Sequence, residues 1–249
     1  ALSSHFSVEM LDLFYDGVEA ACNEYNIDVV GGDMTTINRG LVINVTAMGE
    51  ADKDKVVYRN GAQANDLICV SGDLGAAYCG LQLLEREKKV YLSNPSIQPE
   101  LLEENEYLYQ RFLRPDGRDD IIKFLEEKGI LPTSMMDISD GLSSEVMHLG
   151  SQSKKGMRIY EDKLPIHPST SEVADELGID PTTCALNGGE DYELLFTVSP
   201  AHFEVLSKHS EISIIGHVTS ATERFEMVSR NENVHELRAQ GWEAYGSES

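Results

Sequence analysis

Three short acidic turns constrain this 249-residue chain more than any other feature of its sequence. Each combines glycine with carboxylates beside an apolar strand or helix, and they span Gly31–Asp33, Asp137–Gly141 and Gly188–Asp191. Glycine permits a tight turn and lets a ligand approach the main chain closely. Any one of these turns has a simpler explanation as a helix cap or a solvated loop. Their recurrence favours a cation-binding function.

Asp137 and Asp140 form the most informative pair, because they stand three positions apart between an apolar run and a predicted helix. Bare carboxylates about 4 Å apart repel by roughly 1–4 kcal/mol, and a divalent cation removes that cost. Oxygen ligands without nearby His or Cys favour Mg²⁺ over zinc or copper. A helix starting at Asp140 and Gly141 would also direct main-chain N–H groups towards a phosphate. The alternative is that one aspartate caps the helix and the other is solvated.

The apolar pattern predicts a mixed α/β or α+β fold. A helix is predicted over residues 6–26, with Ser7 as its N-cap, followed by paired strands at 27–33 and 41–50. A polar, turn-rich stretch then indicates a domain boundary near residue 57, which divides residues 1–57 from 58–249. Beyond it, apolar strands such as LICVSG and ISIIGHV intermix with helices without a strict βαβ rhythm.

Composition narrows the class of protein. The formal charge of −23 argues against a nucleic-acid or anionic-membrane partner, because either would require a basic face. No stretch approaches the 18 apolar residues of a membrane span. The four cysteines are scattered without a C-x-x-C pair, which predicts reduced thiols. The seven histidines show no zinc-binding spacing. We therefore expect a soluble, cytoplasmic protein.

Three further features carry weaker signals. VSGDLGAAYCG has the strand, glycine turn and helix that suit a phosphate, but it matches neither the P-loop nor G-x-G-x-x-G, and helix packing is the simpler explanation of its glycines. Arg59 stands in the predicted linker, where arginines are usually solvated. Trp242, the single tryptophan, is either a core anchor or a stacking platform for a flat ligand.

Four segments resemble the thiamine-monophosphate kinase family in order and spacing: NIDVVGGDMT, YRNGAQANDLICVSGDLGAA, MMDISDGLSSEV and LNGGEDYELLFTV. The family belongs to the superfamily of aminoimidazole ribonucleotide synthetase and selenophosphate synthetase. The resemblance implies a two-domain, synthetase-like kinase fold. Residues 1–57 would be the remnant of a nucleotide and dimerisation domain, and residues 58–249 a complete mixed-sheet domain that binds substrate and metal. The family's first Gly-Asp-Asp loop and its further aspartates have no counterpart in this sequence.

The resemblance also assigns site residues by position. Those that would bind Mg²⁺ are Asp33, Asp137 and Asp140. Those that would contact ATP are Arg59 and Ser139, although RNGA stands here where the family more often has R-S-G-A. The thiamine substrate would contact Glu190, and the family's C-terminal aromatic contact falls on Trp242 or Tyr245. No catalytic base is expected, because an attacking phosphate oxygen is already anionic.

The implied activity is ATP-dependent phosphorylation of thiamine monophosphate to thiamine diphosphate, by Mg²⁺-assisted in-line phosphoryl transfer in a homodimer. Two alternatives stay open from the sequence. One is a sister ATP-dependent synthetase of the same superfamily. The other is a non-catalytic metal- or ligand-binding fragment, because the family's first half has no counterpart here.

Overall fold

The structure is a computed structural model that describes residues 1–222 and 224–239. It divides into two compact units, Ala1–Ala51 and Asp52–Ser249. The boundary predicted near residue 57 lies a few residues beyond this junction. None of the described helices is both long enough and apolar enough to span a membrane.

The first unit contains one helix and irregular chain. Helix α1 spans Val8–Tyr25, and the side chain of Ser7 accepts the Met10 N–H at its start, as the sequence predicted. The strands predicted at 27–33 and 41–50 do not form, so that prediction is wrong. Leu2 makes isolated β-bridges to residues 36 and 41. A two-stranded ladder is only marginally stable without further strands, and the described part of this unit supplies no third strand.

The second unit is built on a mixed sheet whose seven described strands lie in the order β2-β4-β1-β5-β3-β6-β7. Their bounds are Leu67–Ser71 (β1), Ser134–Ile138 (β2), Gly156–Tyr160 (β3), Glu193–Val198 (β4), Ile212–Thr219 (β5), Phe225–Val228 (β6) and Val234–Glu236 (β7). Neighbouring strands are antiparallel except β3 and β6, which are parallel. The sheet and its helices confirm the predicted mixed α/β class.

The helices of this unit begin and end as follows: Ala76–Ser93 (α2), Glu106–Leu113 (α3), Asp119–Glu127 (α4), Leu142–Ser153 (α5), Pro168–Leu177 (α6), Pro181–Asn187 (α7) and Phe203–Leu206 (α8). Single 3₁₀ turns occur at Lys53–Lys55, Glu103–Asn105, Glu161–Lys163 and Pro200–His202.

Both faces of the sheet are buried, because alternate residues of β1 and β4 enter separate apolar clusters. Helix α5 covers one face with Leu142, Val146 and Leu149, which share one side of the helix. Helix α4 covers the other face with Ile121 and Leu125. A third cluster joins α2, α3, α6 and α7.

The topology brings three loops to one end of the sheet. Strands β2 and β4 are antiparallel, with Ile138 opposite Glu193, so the loop that follows β2 meets the loop that precedes β4. Strand β1 is antiparallel to β4 on its other side, so the loop after Ser71 reaches the same end. Two of the three acidic turns therefore lie side by side.

Candidate active site

The first of these turns, residues 137–141, is here called the aspartate loop. Asp137 is the exposed residue of β2 between buried neighbours, and Asp140 is exposed just beyond the strand. Helix α5 has Gly141 at its N-cap, with no side-chain capping bond. The alternative that an aspartate caps this helix is therefore wrong. Both carboxylates remain free to face solvent or a ligand.

Gly141 is required by its surroundings. Its φ of +109° lies in a region that L side chains rarely adopt, and a Cβ there would lie 2.8 Å from the Leu186 carbonyl oxygen and 2.9 Å from the Asn187 Cα. The aspartate loop is therefore pressed against the end of α7. The D-x-S-D-G order in the sequence follows from this close approach, because no residue with a side chain fits at the fifth position.

The second turn, residues 188–191, is here called the acidic loop. Two hydrogen bonds join it to the aspartate loop: the Glu190 N–H donates to the Ser139 carbonyl oxygen, and the Tyr192 N–H to that of Ile138, both at 2.8 Å. Asp137, Ser139, Asp140 and Glu190 are thereby brought to one surface. Asp137, Asp140 and Glu190 are exposed there, and Ser139 is half-buried.

The acidic loop has an unusual backbone. Glu190 and Tyr192 have φ values of 64° and 51°, in the left-handed region that costs a residue with a side chain roughly 1–2 kcal/mol. Such conformations persist only where surrounding contacts enforce them. The two hydrogen bonds to the aspartate loop help to hold this conformation, and so does Asp191, which lies between Glu190 and Tyr192.

Asp191 anchors the acidic loop in the core. It is 1% exposed, and its carboxylate accepts the Gly75 N–H at 2.8 Å and the Ala77 N–H at 3.4 Å, at the start of α2. Burial raises the pKa of Asp191 to about 7, although these N–H donors and Arg111 act in the opposite direction. The amino end of α2 is therefore occupied by a carboxylate of the protein itself. Gly75 would place a Cβ 2.8 Å from the Ala185 N, which supports helix packing as the reason for the glycines.

Glu193 lies in a buried ion-pair network below the loops. It is 1% exposed and pairs with Arg111 at 3.0 Å and with Arg118 at 2.7 Å. Burial raises the pKa of Glu193, against the hydrogen bond from Ser71 and the two guanidinium groups. Arg111 also donates to the Asp73 carbonyl oxygen at 2.9 Å, and Tyr107 donates to the Asp73 carboxylate. This network fixes the start of β4, directly after the acidic loop.

Glu145 lies beneath the aspartate loop. It is 1% exposed in the first turn of α5, and its Oε1 accepts the Asp140 N–H at 2.9 Å. Burial raises the pKa of Glu145 to about 7, while the hydrogen bond from Asp140 acts in the opposite direction.

Four residues around these loops have no predicted role in the site: the buried Glu145, Asp191 and Glu193 and the half-buried Arg111. The available signal was the motif around the acidic turn, in which Asp191 and Glu193 flank Tyr192. Nothing in the sequence distinguishes a half-buried, ion-paired arginine such as Arg111 from a solvated one.

The remaining predicted residues lie in different parts of the chain. Arg59 is exposed, and the carbonyl of its neighbour Tyr58 accepts the Met135 N–H at 3.0 Å, so this segment runs along the edge of β2. Asp33 is exposed in the first unit. Trp242 and Tyr245 lie outside the described residues. Within residues 1–222 and 224–239, no three His, Cys, Asp or Glu side chains group closely enough to hold a metal ion.

The chain is similar to known proteins in both sequence and structure. Residues 1–51 match the family model described as AIR synthase related protein, N-terminal domain. Solved structures also resemble the chain over most of its length. One, named "AaThiL complexed with AMPPCP and TMP", has a TM-score of 0.77 at 27% identity over 98% of this chain and 71% of that one.

Two further similarities are to thiamine-monophosphate kinases. The crystal structure of thiamine monophosphate kinase from Aquifex aeolicus has a TM-score of 0.75 at 30% identity, over 94% of this chain and 72% of that one. The thiamine-monophosphate kinase sequence of Aquifex aeolicus strain VF5 is 37% identical over 196 residues, 79% of this chain. The chain belongs to the thiamine-monophosphate kinase family. It spans 59% of the length of that sequence relative.

Proposed function

We propose that this protein phosphorylates thiamine monophosphate with ATP to give thiamine diphosphate. The observation that carries the proposal is the hydrogen-bonded pair of loops that presents Asp137, Ser139, Asp140 and Glu190 on one surface. A relative of the same family has been solved with AMPPCP and TMP, as its name states. These two facts together favour phosphoryl transfer over the other activities of the superfamily.

The chemistry suits this surface. The acceptor is a phosphate monoester whose attacking oxygen is already anionic, so the protein needs to align two phosphates and offset their charge rather than remove a proton. The surface offers exposed carboxylates and a hydroxyl, and neither the aspartate loop nor the acidic loop contains His, Cys or Lys. A general base is accordingly not part of the proposal.

Asp137 and Asp140 fit a hard divalent cation. Both are exposed oxygen donors, and among the described residues no Lys or Arg forms an ion pair with either. Unpaired carboxylates on one loop favour Mg²⁺ binding. Asp33 is proposed as a further ligand from the first unit. When bound, Mg²⁺ would supply charge neutralisation to the phosphates.

The proposed substrate contacts follow the same loops. Arg59 and Ser139 are proposed to contact ATP. Glu190 is proposed to face the positive charge of the thiazolium ring, because its carboxylate is exposed and next to the aspartate loop. An aromatic residue, Trp242 or Tyr245, is proposed to stack on the thiamine.

We also propose a cytoplasmic homodimer. The first unit exposes many apolar side chains, among them Leu13 at 70%, Val30 at 82% and Met48 at 81%. Exposed apolar surface of this kind marks an interaction face. Sedimentation of the full-length protein should give twice the monomer mass, and a monomer at micromolar concentration would contradict this part of the proposal.

The deciding experiment is a product assay on the full-length protein with thiamine monophosphate, ATP and Mg²⁺. Thiamine diphosphate and ADP should form in equal amounts. Asp137→Asn and Asp140→Asn should each remove most of the turnover, since each loses a proposed cation ligand. Asp162→Asn, which changes an exposed aspartate elsewhere, is the matched control and should keep wild-type turnover.

Three outcomes would contradict the proposal. ATP consumption without thiamine diphosphate would favour a sister synthetase. Ligand binding without turnover would favour a non-catalytic role. Near-normal turnover of both loop variants at saturating Mg²⁺ would remove the aspartate loop from the site.

A further inference from the structure

Glu145 is a buried carboxylate that the proposed chemistry leaves without a role. Its Oε1 accepts the Asp140 N–H at 2.9 Å. Its Oε2 is buried and has no hydrogen-bond partner among the described residues. The side chain as a whole is 1% exposed.

This arrangement is unfavourable for stability. A buried polar atom without a partner costs about 1–3 kcal/mol, and an apolar side chain of similar volume would avoid that cost. Departures of this kind from a well-satisfied core are expected at functional sites. Glu145 forms a hydrogen bond with one of the two exposed aspartates. This contact indicates a role in the aspartate loop rather than in the packing of the core.

The surrounding contacts show what the hydrogen bond holds. Before Asp140, the Ser139 carbonyl is fixed by the Glu190 N–H at 2.8 Å. After it, Gly141 is pressed against the end of α7. Between these two points, the Asp140 peptide N–H is fixed by Glu145.

We propose that Glu145 is a positioning residue, which holds the main chain of Asp140 so that the Asp140 carboxylate is presented to a divalent cation. This inference rests on the proposed Mg²⁺ role of Asp140. It predicts that the acceptor atom of Glu145, and not its charge, is what the site requires.

Three variants separate the hydrogen bond from charge and from packing. Glu145→Gln keeps the volume and an acceptor oxygen but removes the charge. Glu145→Met keeps the volume and removes both. Glu172→Met changes an exposed glutamate on α6 and serves as the control for loss of one negative charge.

The measurement is Mn²⁺ binding by electron paramagnetic resonance on the full-length protein with ATP present, together with Tm by calorimetry. Glu145→Met should bind Mn²⁺ roughly 10-fold more weakly, as occurs when a residue that orients a metal ligand is removed. Its Tm should be unchanged or higher, since removal of the unpartnered oxygen offsets the loss of the one hydrogen bond to the Asp140 N–H. Glu145→Gln and Glu172→Met should bind Mn²⁺ as the wild type does.

Two results would overturn the inference. Equal weakening in the Gln and Met variants would show that charge matters rather than the hydrogen bond. A lower Tm of Glu145→Met with intact Mn²⁺ affinity would identify a packing role. A wild-type protein that binds Mn²⁺ but makes no thiamine diphosphate would contradict the proposed function and still allow this comparison.

Discussion

The N–H of Glu190 donates to the carbonyl oxygen of Ser139 at 2.8 Å, so a residue proposed to contact thiamine is tied directly to one proposed to contact ATP. The aspartate loop and the acidic loop therefore behave as one structural unit rather than as two independent turns. A change that displaces the main chain of one loop should therefore alter ligand binding at the other.

Gly189→Ala tests this coupling. Gly189 has a φ of +68°, and a Cβ there would lie 2.7 Å from the Ser139 carbonyl oxygen, which is closer than packed atoms approach. We expect the loops to separate and kcat/KM to fall by at least about 10-fold, which corresponds to about 1.4 kcal/mol. Steady-state kinetics with both substrates is the measurement.

The matched control for this variant is Gly178→Ala. Gly178 has a φ of +70° at the end of α6, but nothing lies within 4 Å of a Cβ built there. Both variants share the conformational cost of about 1 kcal/mol, and Gly189→Ala alone adds the clash. If the two variants lowered kcat/KM equally, the coupling between the loops would be refuted.

Glu190→Gln should raise the KM for thiamine monophosphate and leave that for ATP nearly unchanged. An exposed carboxylate facing one positive ring charge contributes about 1 kcal/mol, or roughly 5-fold in affinity. Glu172→Gln, an exposed glutamate on α6, should change neither constant. A shift in the ATP constant alone would reassign Glu190 to the nucleotide.

Asp191 gives the fold a pH dependence. Burial raises its pKa from the ordinary 3.8 to about 7. Between about pH 4 and 7 the folded state then keeps a proton that the unfolded state has lost, so stability falls as pH rises through this range. The slope is at most about 1.4 kcal/mol per pH unit for one proton.

Asp191→Asn should reduce this slope, because the amide does not titrate. Urea unfolding at pH 5 and pH 7.5 measures it, with the exposed Asp162→Asn as control. Burial also raises the pKa of Glu145, so part of the wild-type slope should survive in the variant. An unchanged slope would show that Asp191 is ionised in the folded protein throughout this range.

Much of the second unit was predictable from local pattern. The apolar run of β1 and the helical spacing of Leu142, Val146 and Leu149 depend on neighbouring residues only, and the structure contains the corresponding strand and helix. The strands predicted in the first unit failed because a strand needs pairing partners that its own sequence does not specify.

Only the exposed residues of the candidate site could be predicted from the sequence. Asp137 and Asp140 stand out because like charges close together require an explanation. Asp191 and Glu145 do not, because an acidic residue in a turn or a first helical turn is usually solvated. The burial of Asp191 follows from antiparallel pairing of β2 with β4 and from the approach of α2, which are contacts between residues far apart in sequence.

Arg111→Met should lower the free energy of unfolding of the second unit, because it removes one partner of the Arg111–Glu193 ion pair. The Arg111 side chain is 13% exposed and pairs at 3.0 Å with Glu193, which is 1% exposed. Removing one partner of a buried ion pair leaves an uncompensated charge and costs about 3–5 kcal/mol. Because Arg118 still pairs with Glu193 at 2.7 Å, we expect the lower end of that range.

Lys123→Met is the control. It removes an exposed ion pair with Asp119 on α4 and should cost under about 0.5 kcal/mol. Urea unfolding of both variants is the measurement, and similar small losses in the two would mean that Arg118 alone holds Glu193 at the start of β4.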